Sequence, residues 1–318
     1  MIQKSTHATP RMDLGVAFHE YSPSRVRFIA DDILPAKGVS KEASTLSVIT
    51  RENLTIPQTK HANGAVYGRA ALYAEDMSYQ CVDHGLEGQL TDRDRAKYAD
   101  DFDAELETVN SIKIKMMLAR EKRIKDLVFN PTTWTGSSLY TDNSASPWDT
   151  TTTDIVAQVM AAKEKVRQNT GVVPESLIIG EGAMQNLLKN DDIIARYPGN
   201  AGPITEAMLR NGMAAIFGLQ NLFVGQAVYN SADEGQTFSA SEIWPDDYAM
   251  VAALGTAGMP LSEPQLGRTI TWDRFVPGLR YTEQYREEQT KSDIFRVEES
   301  LDEKIFDAYF GHLMLIDA

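Results

Sequence analysis

The clearest pattern of apolar and polar positions along the chain is that of one long amphipathic helix. Apolar residues recur at steps of three and four before Pro131, namely at Tyr98, Phe102, Leu106, Val109, Ile112 and Met116. This spacing places them on one face of a helix, and Thr91 or Asp92 can cap its first turn. The pattern therefore predicts a helix over residues about 92–128, with Phe102 and Leu106 on its buried face.

The residues before this helix predict an extended arm followed by a long β-hairpin. Residues 1–43 mix proline and glycine with isolated apolar positions, and they sustain neither a helix nor a strand period. Residues 44–77 contain two β-favouring runs, 45–56 and 65–73, around a polar tip at 60–64. Because two strands alone are only marginally stable in water, we expect the hairpin to lie on another surface, such as that of a second subunit.

The middle of the chain predicts a compact α/β unit. A helix pattern at 154–168 precedes an apolar strand at 176–179, a glycine turn and another helix. A helix at about 204–217, the strand-like run LFVGQAVYN and a strand at 248–254 follow. Alternation of strands and helices is typical of an α/β layer structure.

The last part of the chain returns to strands. After Arg268 the helical pattern largely disappears, and the residues up to the end read as successive strands. The predicted fold class is therefore α+β, with the α/β unit inserted between the long helix and late strands that share a second sheet.

The stretch Gly180-Glu181-Gly182 resembles the start of a phosphate-binding turn. A dinucleotide-binding turn needs a third small residue that lets the helix and strand pack closely, and here that position is Gln185. The P-loop pattern is also absent from the sequence. We interpret the stretch as a simple strand-to-helix turn, and the sequence predicts no cofactor.

Composition restricts the partners and the compartment. The formal net charge is −14, from 31 Lys+Arg against 45 Asp+Glu, which opposes tight sequence-independent binding of nucleic acid.

The single cysteine, Cys81, excludes an internal disulfide and is interpreted as a small buried side chain. No apolar run approaches the roughly 18 residues that span a bilayer, so we expect a soluble chain made in the cytosol, without a membrane partner.

Residues that could carry chemistry are scattered. The five histidines show no metal-ligand spacing, and Asp83-His84 should point to opposite faces of an extended segment. We interpret the acidic pairs as capping residues rather than cation ligands; these are Asp100-Asp101, Asp191-Asp192 and Asp246-Asp247. Tyr67, Tyr73 and Tyr79 favour cross-strand packing over base stacking. The sequence predicts no catalytic, cofactor-binding or metal site.

The order of these parts resembles the major capsid protein of tailed bacteriophages, which has the Hong Kong 97-like fold. The local resemblance lies in VVPESLIIGEGAMQNLLKNDDIIARYPGN, ITEAMLRNGMAAIFGLQNLFVGQAVYNSADEG and IWPDDYAMVAAL, and then in the late RYTEQYREEQTKSDIFRVEESLDEKIFDAYFGHLM. It covers nearly the whole chain in order and implies no enzymatic activity. The domains it implies are an arm at 1–43, an extended hairpin loop at 44–77, a peripheral domain with the spine helix at 78–150, an axial domain at 151–262 and return strands of the peripheral domain at 263–318.

The resemblance also implies partners and a location. Such subunits assemble with themselves as pentamers and hexamers into an icosahedral head, joined to a portal protein, around double-stranded DNA. The expected location is the virion, after assembly in the bacterial host cytoplasm. Many relatives carry a cleaved N-terminal scaffolding segment, whereas here a short arm precedes the hairpin, so we expect a separate scaffolding protein or none. Decoration proteins are a further possible partner. Lys60 near the hairpin tip is interpreted as a solvated residue rather than a crosslinking one.

Two alternatives remain open at this point. An encapsulin-like bacterial nanocompartment shell protein would share the fold, although this chain shows no evident flavin or cargo pocket. A small-molecule enzyme using the α/β unit would require a buried cluster of titratable groups, and the sequence does not display one.

Overall fold

The structure is a computed structural model that describes residues 9–10, 28–49, 51–57, 59–61, 63, 67–196, 205–233, 235–261, 263–273 and 281–317. Most of the predicted arm at 1–43 therefore lies outside the described residues. No described helix combines the length and the hydropathy that a bilayer crossing requires.

Seven α-helices and fifteen strands are described. The helices are α1 (Ala30–Ile33), α2 (Asp92–Tyr98), α3 (Ala104–Val128), α4 (Ile155–Thr170), α5 (Glu181–Lys189), α6 (Asp191–Arg196) and α7 (Glu206–Ile216). Short 3₁₀ turns occur at Arg51–Leu54 and Ala308–Phe310. The strands are β1 (Thr9–Pro10), β2 (Ala36–Val39), β3 (Ala43–Ile49), β4 (Ala74–Gln80), β5 (Val82–Thr91), β6 (Tyr140–Asp142), β7 (Ser176–Gly180), β8 (Asn221–Gly225), β9 (Val228–Asn230), β10 (Ala240–Glu242), β11 (Tyr248–Ala252), β12 (Gly267–Trp272), β13 (Tyr281–Glu287), β14 (Ser292–Ile305) and β15 (Gly311–Leu315).

Two large sheets organise the chain. In the six-stranded sheet the order is β1-β13-β14-β12-β2, and β5 pairs with the long strand β14 as well. In the five-stranded sheet the order is β6-β15-β11-β7-β8. Two small sheets, β3-β4 and β9-β10, complete the described strands. The predicted α+β class is confirmed.

The long helix α3 joins the two sheets. Its first half packs on the six-stranded sheet, where Val109 and Ile112 meet Phe295. Its last turns place Ile124 and Val128 against one face of the five-stranded sheet. The other face of that sheet carries α4 and its neighbouring helices; Ile155, Val159, Leu177, Ile179 and Val251 belong to this second cluster.

The predicted single helix over 92–128 is interrupted, and this is a correction. The chain forms α2, leaves the helical path, and starts again at Ala104. Asp103 causes the restart because its carboxylate accepts hydrogen bonds from the backbone N–H groups of Glu105 and Leu106, at 3.0 and 3.2 Å. Aspartate is a strong N-cap and a poor residue inside a helix. Phe102 therefore lies in the break, 46% exposed, and not on the buried face.

Two aspartate substitutions test whether the helix is interrupted before Ala104, as observed, or continuous, as predicted. Val109 is fully buried, so Val109→Asp places an unpaired carboxylate in the core and should prevent soluble folding. Phe102→Asp should leave a folded chain, because that side chain already contacts water. Circular dichroism and soluble yield of the two variants measure the difference. Equal loss of folding in both would contradict the observed break.

The hairpin also differs from the predicted strands. The first strand, β3, ends at Ile49 and pairs antiparallel with β4, so that Ala43 lies opposite Gln80 and Ile49 opposite Ala74. The predicted second run at 65–73 is not a strand where the structure describes it. Both strands reach an apolar cluster at the base, because Tyr79 of β4 packs with Cys81 and Ile270, and Leu46 of β3 packs against them. We call residues 43–80 the hairpin.

The last strand lies in a different sheet from the one that the sequence predicted. β15 was expected among the return strands of the peripheral domain at 263–318, but it lies inside the five-stranded sheet between β6 and β11. β6 belongs to the range predicted as peripheral, 78–150, and it pairs in parallel with β15. The physical reason is the apolar character of β15, in which residues 311–314 are buried.

His312 on β15 gives the fold a predicted pH dependence. Its Nδ1 donates to the Ser138 carbonyl at 3.0 Å, and its Nε2 accepts from the Thr141 hydroxyl at 2.8 Å. Burial lowers the pKa of His312 below its ordinary value. The folded state therefore favours the neutral ring, and the stability this provides is complete above pH ~6.5 and declines as the pH falls below it.

Thermal unfolding measures this contribution. Between neutral pH and about pH 5, the wild-type midpoint should fall by more than that of His312→Gln, which cannot gain a proton in this range. Equal falls in the two proteins would show that His312 does not titrate between the folded and unfolded states.

Candidate functional site

The glycine turn after β7 binds a carboxylate of the chain itself. The backbone N–H of Gly182, in the first turn of α5, donates to Asp246 Oδ1 at 2.8 Å. A Cβ built on Gly182 would lie 1.9 Å from Asp246 Oδ2, so only glycine permits this approach. Asp246 therefore occupies the position at which a phosphate would meet the start of the helix. The turn joins a strand to a helix, as the sequence predicted.

Other acidic candidates are distributed over separate elements. Burial raises the pKa of Glu242, and the nearby carboxylates of Asp246 and Glu181 raise it further. Glu181 is itself bound by the Gln226 side chain, at 2.7 Å. Within the described ranges, no three His, Cys, Asp or Glu side chains come together as metal ligands.

The remaining titratable candidates have structural surroundings. Asp83 and His84 are neighbours on β5, opposite Ser300 and Glu299 of β14, and neighbouring strand residues point to opposite faces. Cys81 is buried, and desolvation raises the pKa of its thiol to about 11. A thiol of this kind is a poor nucleophile at neutral pH.

Several exposed apolar side chains of the described residues lie together on the hairpin. Beyond the β3–β4 ladder, Ile56 is 97% exposed, and four further large apolar side chains on this segment are also exposed, namely Leu54, Tyr67, Leu72 and Tyr73. Tyr67 and Tyr73 lie outside the described strands, although the ring of Tyr67 stacks on that of His61 with centroids 4.2 Å apart, whereas Tyr79 on β4 buries its ring. Lys60 is exposed near the tip, as predicted. An apolar surface of this kind is typical of an interaction site between proteins.

A second apolar surface lies where β5 meets α2 and α3. We call it the helix–strand groove; it has a volume of about 570 Å³ and is lined by Leu86, Leu90, Tyr98, Phe102 and Ile112, with Asp94 and Glu107 among its polar residues. Leu86 and Phe102 are both exposed. The ring of Phe102 stacks on that of Tyr98, with centroids 5.0 Å apart. The groove can accept apolar side chains of a partner beside its carboxylates.

A buried carboxylate joins the residues at the start of α1 to the body of the subunit. Glu121, fully buried on α3, accepts hydrogen bonds from the backbone N–H groups of Ile29 and Ala30 and from Trp244 Nε1, the last at 3.0 Å. Burial raises its pKa, and the three donors oppose that rise. Arg120 next to it pairs with Asp31, Nη1 to Oδ1, at 2.5 Å. These residues join α1, α3 and the segment before β11.

Glu121 was not predicted from the sequence. Its signal is a charged residue on the apolar stripe of α3, three positions before Ile124 and five after Met116, both of which are buried. A charge at such a position requires partners when the stripe is buried.

Comparison with known proteins agrees with this arrangement. Residues 137–261 match the family model described as phage major capsid protein E. The major capsid protein of Burkholderia phage BcepMu is 26% identical over 225 residues, which cover 70% of this chain and 69% of that protein.

Solved structures share the fold over nearly the whole chain. A phage-related protein from Bordetella bronchiseptica RB50 superposes with a TM-score of 0.75 at 19% identity, covering 96% of this chain and 97% of that one. The capsid structure of cyanophage P-SCSP1u gives a TM-score of 0.59 at 12% identity, over 93% of this chain and 90% of that one. The resemblance predicted from the sequence is therefore confirmed: this chain is similar in sequence to phage major capsid proteins, and it shares its fold with solved phage capsid structures.

Proposed function

We propose that the chain is a structural subunit that assembles with copies of itself, as pentamers and hexamers, into the icosahedral head of a tailed phage. The observation that carries this proposal is the hairpin, whose exposed apolar residues Leu54, Ile56 and Leu72 are left uncovered by the subunit. An element of this kind needs a second subunit to bury it. Repeated contacts between unlike surfaces of identical subunits close into rings and shells.

The helix–strand groove is the surface we propose for the hairpin of a neighbour. It presents Leu86 and Phe102 as apolar contacts and Glu107 as a carboxylate. The hairpin carries exposed cations, Lys60 and Arg69, beside its apolar residues. The apolar residues and the opposite charges of the two surfaces both favour binding of the hairpin in the groove of a neighbouring subunit.

The domain assignment that we propose is Hong Kong 97-like. The spine helix is α3, with α2 as a separate first segment, and the peripheral domain is the six-stranded sheet that α3 crosses. The axial domain is the five-stranded sheet with its helices, to which β6 and β15 are added. The hairpin extends from the peripheral domain toward neighbouring subunits, whereas the described part of the predicted arm, from α1 to β2, packs within its own subunit.

The proposed contents and partners follow from charge. A subunit with a net charge of −14 gives double-stranded DNA few basic contacts, so the packaged genome is enclosed without tight binding. A portal protein, and separate scaffolding or decoration proteins, complete the proposed set of partners. We assign the chain no enzymatic activity and place it in the virion after assembly in the host cytoplasm.

An encapsulin-like compartment shell is the second candidate, because the same kind of subunit would build it. The contents of the shell distinguish the two: DNA and a portal indicate a phage head, whereas a copurifying enzyme indicates a compartment.

Electron microscopy with mass photometry of the purified chain, at micromolar concentration and near-physiological salt, tests the proposal. Closed shells or rings of five and six subunits are the expected result, either alone or after a scaffolding protein is added. Monomers or dimers under both conditions, together with binding of a small molecule in a ligand screen, would overturn it in favour of an enzyme.

A further inference from the structure

Among the described residues, the hairpin contacts its own subunit at its base and again further out along its length. At its base, Tyr79 and Cys81 pack against Ile270 of β12. Further out, where the β3–β4 ladder ends, the guanidinium of Arg51 lies over the ring of Tyr309, 3.4 Å from its centroid. Between these two points the hairpin stem and the body of the subunit are separated by a cleft of about 250 Å³, lined by Ile49 and Met77 on one side and by Phe306 on the other.

The turn that carries Arg51 is held rigidly to the opposite side of the hairpin. Asn53 Nδ2 donates to the Tyr73 carbonyl at 2.6 Å, and its Oδ1 accepts from the Tyr73 N–H at 2.9 Å. The Asn53 side chain thus replaces one rung of the ladder after the strands end. A force on Arg51 is therefore transmitted to both sides of the hairpin.

A weaker contact, between Leu54 and Gly171, lies near the contact between Arg51 and Tyr309. Leu54 lies over Gly171, since a Cβ built on that glycine would be 2.9 Å from Leu54 Cδ1. Gly171 ends α4 in the left-handed region, with φ of 72°. Leu54 remains 62% exposed, so this contact buries little apolar surface.

From this geometry we infer that Arg51 and Tyr309 form a releasable latch that fixes the angle of the hairpin against its subunit, with the Tyr79–Cys81 base as the hinge. The cleft leaves the stem room to move when the latch opens, and the apolar base keeps the hairpin attached. The biological role of the latch rests on the proposed function, because the hairpins of subunits in pentamers and hexamers must reach their neighbours at different angles. The latch itself is a property of the single chain.

The size of the expected effect follows from the contact. A cation–π contact at a partly exposed site accounts for about a two- to fivefold change in an equilibrium. Arg51→Gln and Tyr309→Leu should each raise the ratio of released to held hairpins by about this factor. Tyr309→Phe keeps the ring and should behave as the wild type. Arg51→Gln combined with Tyr309→Leu should exceed neither single change, since both remove the same contact.

Pulsed electron paramagnetic resonance measures the angle directly. Nitroxide labels are placed on Ala74→Cys, at the first residue of β4, and on Lys165→Cys, which is exposed on α4. Cys81 stays unlabelled at neutral pH because burial raises the pKa of its thiol to about 11. Labelled chains are diluted into unlabelled ones so that only distances within one chain are recorded.

Arg69→Gln is the matched control, because it removes a cation from an exposed position of the same hairpin. The latch predicts one main distance in the wild type, in Tyr309→Phe and in Arg69→Gln, and a second distance that grows in Arg51→Gln and Tyr309→Leu. Wild-type distances in Arg51→Gln and Tyr309→Leu, or an equal change in Arg69→Gln, would overturn the latch. Failure of the wild type to form shells would count against the proposed function and leave this result standing.

Discussion

Replacing Glu121 with alanine is expected to destabilise the subunit strongly. The carboxylate is the acceptor for two backbone N–H groups and for the indole N–H of Trp244, and all of these lie in the buried junction between α1 and α3. A buried donor left without an acceptor costs about 1–3 kcal/mol, so three of them should cost ~3 kcal/mol or more. Urea unfolding followed by tryptophan fluorescence measures the loss.

Two further variants make this result interpretable. Glu121→Gln keeps one carbonyl acceptor in the same place and should lie between the wild type and the alanine variant. Glu107→Ala removes an exposed carboxylate from the same helix and should change the free energy of unfolding by less than about 0.5 kcal/mol. If Glu107→Ala were as harmful as Glu121→Ala, loss of any carboxylate from α3, and not loss of the buried acceptor, would be the cause.

Replacing Ile56 and Leu72 together with aspartate is expected to leave a folded subunit that no longer forms shells. Both side chains are exposed in the single chain, at 97% and 74%, so their loss costs the subunit little. Each would bury its surface against a neighbour, which contributes about 1.5–3 kcal/mol per side chain. The concentration needed for assembly should therefore rise ~100-fold or more, as measured by light scattering against protein concentration.

Thr55→Asp with Thr59→Asp is the control for charge. Both residues are exposed on the same hairpin, and their replacement adds the same two charges without removing large apolar side chains. Shells should still form from this variant. Shells of normal yield from the Ile56 and Leu72 double variant would exclude the hairpin as an assembly contact.

The parts of the fold that sequence predicted well depend on local patterns. The helix period from Val109 to Val128 is visible in any short window, and so is the glycine turn at Gly182. The interruption before Ala104 was also encoded locally, in the capping aspartate Asp103, but the apolar spacing of Tyr98 and Phe102 suggested a continuous helix. Those two rings instead stack on each other across the break.

The parts that sequence did not predict depend on distant partners. β15 resembles a strand of either sheet, and only its pairing with β11, far back in the chain, assigns it to the five-stranded one. Glu121 likewise becomes a junction residue through Ile29 and Trp244, which lie 92 and 123 positions away. Periodicity carries no information about such contacts.

The position of β15 has a consequence for how the subunit is made. β15 separates β6 from β11, so the five-stranded sheet keeps a gap until residues 311–315 have left the ribosome. Long-range strand pairing of this kind is slow, and unpaired strands expose sites for aggregation while they wait. The five-stranded sheet can therefore be completed only after residues up to Leu315 have been translated.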